Sequence, residues 1–172
     1  MTARPLLSAC LAAMLLPAAA QAYRISDPLA AKPAELRVTI TLPPGFEIEA
    51  GSAQLTVTAT NPRTQEAALS ADALRAAGRD GAARVFALAD PAGSQFAGLE
   101  TRVAAWRAAK IATAAQIDVA FTPCRSDPGA ATSGAMALSI QPAPGAPRLV
   151  LLPAGTTLAA YLGGAPVADC PK

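Results

Sequence analysis

Residues 36–60 read LRVTITLPPGFEIEAGSAQLTVTAT, and this stretch decides the fold class. Leu36, Val38, Ile40 and Leu42 alternate with Arg37, Thr39 and Thr41. A period of two carried by β-branched residues puts the apolar set on one face of a half-buried strand. Pro43-Pro44-Gly45 ends that strand. Phe46, Ile48 and Ala50 then alternate with Glu47 and Glu49, which predicts a short second strand before the Gly51-Ser52 turn. Leu55, Val57 and Ala59 alternate with Gln54, Thr56, Thr58 and Thr60 in a third, stopped by Asn61-Pro62.

Working outward, strands are expected over 84–89, around Val85, Phe86 and Leu88, and over 116–122, with Ile117, Val119 and Phe121 inward. Another is expected over 136–141, with Met136, Leu138 and Ile140 on one side. The continuous apolar run 149–152 reads as a central buried strand. One longer helix is expected over about 91–110. Asp90-Pro91 looks like an N-cap followed by proline at the first helical position. Phe96, Leu99, Val103 and Trp106 follow at helical spacing, and Lys110 complements the dipole at the end. Short helices are expected over 70–78, capped by Ser70 and closed by Gly78, and from Thr156 or Thr157 to Leu162.

The pattern is mostly β. The stretch 36–61 resembles a generic immunoglobulin-like hairpin, a pattern too common to imply a function. Short strands with frequent turns fit an immunoglobulin-like or related β-sandwich, decorated with the longer helix and one or two short ones. The alternative is an α+β two-layer arrangement of sheet and helix. Alanine inflates the apolar content, and aromatic residues are only 4%, so Phe46, Phe86, Phe96, Phe121 and Trp106 are the large core anchors.

The N-terminus reads as a signal peptide over 1–22. Arg4 precedes an apolar run from Leu6 to Leu16, and Ala20-Gln21-Ala22 is a small-residue cleavage site. The expectation is export to the periplasm or secretion, into an oxidising space without ATP. An extended lead-in over 23–35, broken by Asp27-Pro28 and Lys32-Pro33, would precede a single β-rich domain over 36–172. Leu7-Ser8-Ala9-Cys10 also fits a lipobox, but a short apolar region precedes it and the run continues past Cys10. Lipid anchoring at Cys10 is therefore not expected. No transmembrane segment is expected after signal cleavage, because no uncharged apolar run long enough to span follows Tyr23.

Setting Cys10 aside leaves Cys124 and Cys170, an even count in an oxidising space, and a disulfide between them is expected. A loop of that length is worth about 4 kcal/mol in the chain-entropy account. A net charge of +2 with no basic stripe gives no reason to expect a nucleic-acid partner.

The chain has no histidine, which removes Ser-His-Asp and Cys-His machinery and His-ligated metals. Gly163-Gly164 is followed by Ala165-Pro166, so it is not a phosphate loop. No catalytic set, cofactor or metal is expected. The residues offering interaction chemistry are Trp106, Arg102, Arg107, Glu47 and Glu49. Glu47 and Glu49 share a strand face at about 7 Å, which suits paired carboxylates or a solvated face. Trp106 could stack on a ligand with Arg102 or Arg107, or anchor its helix in the core. Asp118 is expected on the face opposite Ile117 and Val119, and Arg75, Arg79 and Arg84 form a loose basic cluster.

The function expected is an exported, non-catalytic binding or accessory domain that contacts another envelope protein. Residues 23–34 or 36–42 would supply the edge strand. The alternatives are a small-ligand carrier with an apolar pocket, or a carboxylate-based envelope hydrolase using Glu47, Glu49 or Asp118.

Overall fold

A strand of 14 residues, β5 (Ala67–Asp80), organises the structure. The computed structural model describes residues 23–25 and 32–171. The expected signal segment, with Cys10 and its neighbours, lies outside the described residues, as do 26–31 of the lead-in. Before β5 come β1 (Tyr23–Ile25), β2 (Arg37–Thr41), β3 (Phe46–Ile48) and β4 (Gln54–Thr60). After it come β6 (Ala83–Leu88), α1 (Ser94–Ala108), β7 (Ala114–Ala120), β8 (Pro123–Arg125), β9 (Ala137–Gln141), β10 (Leu149–Val150) and α2 (Leu158–Tyr161). Among the described residues, eight strands form one antiparallel sheet in the order β1-β7-β4-β5-β6-β2-β9-β10, and β3 pairs with β8 apart from it.

The N-terminal half of β5 pairs with β4, from Ala67 opposite Thr60 to Ala73 opposite Gln54. Its C-terminal half pairs with β6, from Leu74 opposite Leu88 to Asp80 opposite Ala83. The handover is continuous: the Leu74 N–H donates to Ala53 O at 2.9 Å, and the Ala89 N–H to Ala73 O at 2.8 Å. One strand thereby serves both halves of the sheet, which curls about it.

This corrects the helix expected over 70–78. Directly opposed residues share a face. Ser70 lies opposite Val57 and Asp72 opposite Leu55, so both are buried on the core side. Leu69 points the other way and is 61% exposed. The usual strand polarity is inverted here, and the Ser70 hydroxyl donates to the Asp72 carboxylate to satisfy the buried pair. Pairing on both sides of the strand outweighs the helix propensity of its alanines.

The same pairing rule assembles the core. Ile117 lies opposite Val57 and Val119 opposite Leu55. Further round the sheet, Leu74 faces Leu88, Phe86 faces Val38, and Val38 and Ile40 face Ile140 and Leu138. All are buried on one continuous face. Phe96, Leu99, Val103 and Trp106 of α1 join that core, and α1 packs chiefly on β5. Each large side chain covered in this way contributes about 1.5–3 kcal/mol.

The helix starts three residues later than Pro91. Asp90 does cap, but it caps a turn: its carboxylate accepts the N–H of Ala92 at 2.9 Å and of Ser94 at 3.0 Å. Gly93 then takes a left-handed conformation (φ 60°), and a Cβ there would lie 2.5 Å from the Pro33 side chain.

Two strand assignments also change. β2, a candidate edge for a partner strand, lies inside the sheet between β6 and β9. The run 149–152 forms β10 at the edge, not a central strand, because β9 supplies its one neighbour in the sheet; Val150 is 54% exposed while Leu151 turns inward. Cys124 of β8 is bonded to Cys170, with Cα atoms 4.7 Å apart. The tail runs beside β8: the Arg125 N–H donates to Ala168 O at 2.8 Å and the Cys170 N–H to Arg125 O at 2.9 Å. Among the described residues no helix is long and apolar enough to cross a membrane.

Candidate functional site

The two ends of the curled sheet approach each other at Tyr161. β1 pairs with Ala115, Gln116 and Ile117 of β7, so β7 runs on past it through Asp118, Val119 and Ala120. From the other end, the chain leaves β10 and enters α2, whose first turn is fixed by the Thr157 hydroxyl accepting the Ala160 N–H at 3.1 Å. This cap delivers Tyr161 to β7. Its ring stacks on Phe121, with centroids 5.1 Å apart and planes within 11°. Its hydroxyl donates to Val119 O at 3.2 Å.

Between these ends lies a cavity of about 650 Å³. Ile117, Val119, Leu138, Leu151 and Leu152 supply apolar wall, while Asp118, Thr156, Thr157 and Tyr161 supply the polar groups. Burial, and secondarily the charge of Asp118, pushes the Tyr161 phenol up to about 12. The hydroxyl keeps its proton well into the alkaline range, and its hydrogen bond to Val119 O shows it acting as a donor. Apolar walls with a few convergent polar groups can seat an apolar body and orient it.

The residues singled out in the sequence do not converge here, apart from Asp118. Trp106 is 6% exposed and anchors α1 in the core. Arg102 turns outward to pair with Glu66, and Arg107 sits exposed in the last turn of α1. Glu47 is tied to Arg84 at 2.9 Å, and Glu49 lies exposed beyond the end of β3. Among the described residues no group of three or more His, Cys, Asp or Glu could hold a metal ion.

Sequence reasoning missed Tyr161, Leu151 and Leu152 as members of one site. The available signal was a tyrosine inside a Thr-capped short helix just after an apolar run. Its partner Phe121 is 40 residues away in the chain and shows no pattern linking the two. No protein-family model, curated protein or solved structure matches this chain.

Proposed function

We propose that this chain is an exported, non-catalytic binding domain that engages another envelope protein at the open seam of its sheet. The observation carrying the reading is the groove of about 650 Å³ between β7 and the segment that follows β10. It adjoins a short edge strand whose Val150 is 54% exposed. An edge offers unpaired backbone groups to a partner strand, and apolar pockets beside it give specificity. In this reading the architecture is a sandwich-type domain whose two layers are halves of one sheet. Export is supported by the apolar run and small-residue site within residues 1–22 and by the bonded pair Cys124–Cys170.

A photo-cross-linking residue at Val150, in cells at native expression, should trap one dominant envelope protein. A residue at the exposed Thr101 of α1 should not. Equal products from both positions, or none from Val150, would remove the proposal. Intact mass of the mature protein should match a chain beginning at Tyr23 with both sulfurs oxidised.

The cavity favours a second reading, a small-ligand carrier, because its volume falls within the range of about 300–1,000 Å³ typical of ligand pockets. A carrier would show a ligand-dependent rise in melting temperature with small apolar compounds, abolished by Leu151→Arg. Absence of any such rise across a chemically broad set would leave the protein-contact reading in place.

A further inference from the structure

The hairpin of β5 and β6 ends in an electrostatic conflict. Arg79 lies directly opposite Arg84 in the ladder. Such residues have Cβ atoms about 4.5–5.5 Å apart, and like charges placed so are destabilising. The arrangement depends on an irregularity. The register shifts between Ala76 and Gly78, so Arg75 is opposite Ala87 while Arg79 is opposite Arg84. Ala87 and Arg84 lie on different faces of β6, because they are an odd number of positions apart. Without the bulge, the four-residue spacing would leave Arg79 on the face of Arg75. With it, Arg79 joins Arg84 and Phe86 on the core-side face, at the rim of the sheet.

Neighbouring acids resolve the conflict only in part, on the Arg84 side. Glu47 pairs with Arg84 at 2.9 Å, and Asp80 is drawn away to Arg148 at 2.9 Å. Among the described residues neither Arg75 nor Arg79 has an ion-pair partner. The three arginines line a cavity of about 550 Å³, whose wall also includes Ile48, Leu74 and Phe86. Glu49 is the acid on this wall. The site therefore joins a cationic rim to an apolar floor, away from the Tyr161 groove.

We propose that this cavity binds a small amphiphilic carboxylate. Its head bridges Arg79 and Arg84, where a guanidinium fork matches a carboxylate and a bound anion relieves the like-charge pair. Its aliphatic body lies against Phe86, Leu74 and Ile48. Glu49, also on the wall, disfavours a carboxylate placed against it.

The test is titration of the full, disulfide-intact protein with octanoate, followed by calorimetry and amide shifts. Octanol, acetate and inorganic phosphate serve as comparison probes. Octanoate should saturate and shift Gly78, Arg79 and Arg84, with the three comparison probes each about tenfold weaker, and added salt should weaken it. Arg79→Gln should cut octanoate affinity about tenfold or more, yet leave the melting temperature of the ligand-free protein unchanged or higher, since it removes the like-charge pair. A merely structural arginine would lower it. The proposal is overturned by any of four results: no saturation at millimolar octanoate, octanol or phosphate binding equally well, shifts centred on Tyr161 instead, or unchanged affinity in Arg79→Gln.

Discussion

Tyr161 stacks on Phe121 with ring centroids 5.1 Å apart, and from that position its hydroxyl reaches Val119 O. A residue of α2 is thus clasped to the strand β7 and the residue that follows it, at the seam where the curled sheet would otherwise gape.

The two parts of the clasp can be separated. Tyr161→Phe keeps the stack and removes the hydrogen bond, for a loss of about 1 kcal/mol. Tyr161→Ala removes both and should cost about 2–3 kcal/mol, below the cost of emptying a fully enclosed aromatic site because Tyr161 is half-buried. Denaturant midpoints measure both. Equal losses in the two variants would show that the ring contact contributes nothing.

The clasp should also loosen in strong alkali. The Tyr161 phenol is raised to about 12 from 10.0, so between those values the unfolded chain has released its proton and the folded chain has not. Its contribution to stability is therefore complete below pH about 10 and is lost as pH rises through about 12. Phenolate absorbance should show one tyrosine titrating late, and Tyr161→Phe should abolish that late step. A single transition near the ordinary tyrosine value would contradict the burial of Tyr161.

Reducing Cys124–Cys170, or replacing both with alanine, should cost about 4 kcal/mol, since the crosslink spans a sequence separation of 46. The lost constraint should appear as a lower unfolding midpoint in reductant. Amides of Arg125 and Cys170, which hydrogen-bond along the tail, should exchange sooner than those of the sheet centre. An unchanged midpoint would mean that the tail is held equally well by its backbone contacts.

Trp106 and Arg102 lie within one turn of α1 yet should behave oppositely. Trp106→Ala opens a cavity in the core and should cost about 3–5 kcal/mol. Arg102→Ala breaks an exposed pair with Glu66 and should cost no more than about 1 kcal/mol. Thermal or denaturant unfolding distinguishes them, and a small effect at Trp106 would argue against its place in the core.

The sequence was most legible where one face was apolar and the other was not. Leu55, Val57 and Ala59 announce β4 to the residue, because burial and alternation agree. Phe96, Leu99, Val103 and Trp106 announce the body of α1 for the same reason. The failure at β5 has an equally physical cause. Its core side carries Ser70 and Asp72 and its outer side carries Leu69, so alternation points the wrong way, and Ser70 with Gly78 imitates helix ends. The seam was not legible because it joins Phe121 to Tyr161 through topology. The basic cluster of Arg75, Arg79 and Arg84 was legible, but the direct opposition of Arg79 and Arg84 was not, because a bulge changes which face a side chain occupies without leaving a mark in spacing.

Since β5 belongs to both halves of the sheet, neither half owns a boundary along which it could part from the other. Melting one would strip a partner strand from the second, so the two stand or fall together. Calorimetry of the intact chain should record a single cooperative endotherm, with no shoulder assignable to either side of Ala73 and Leu74.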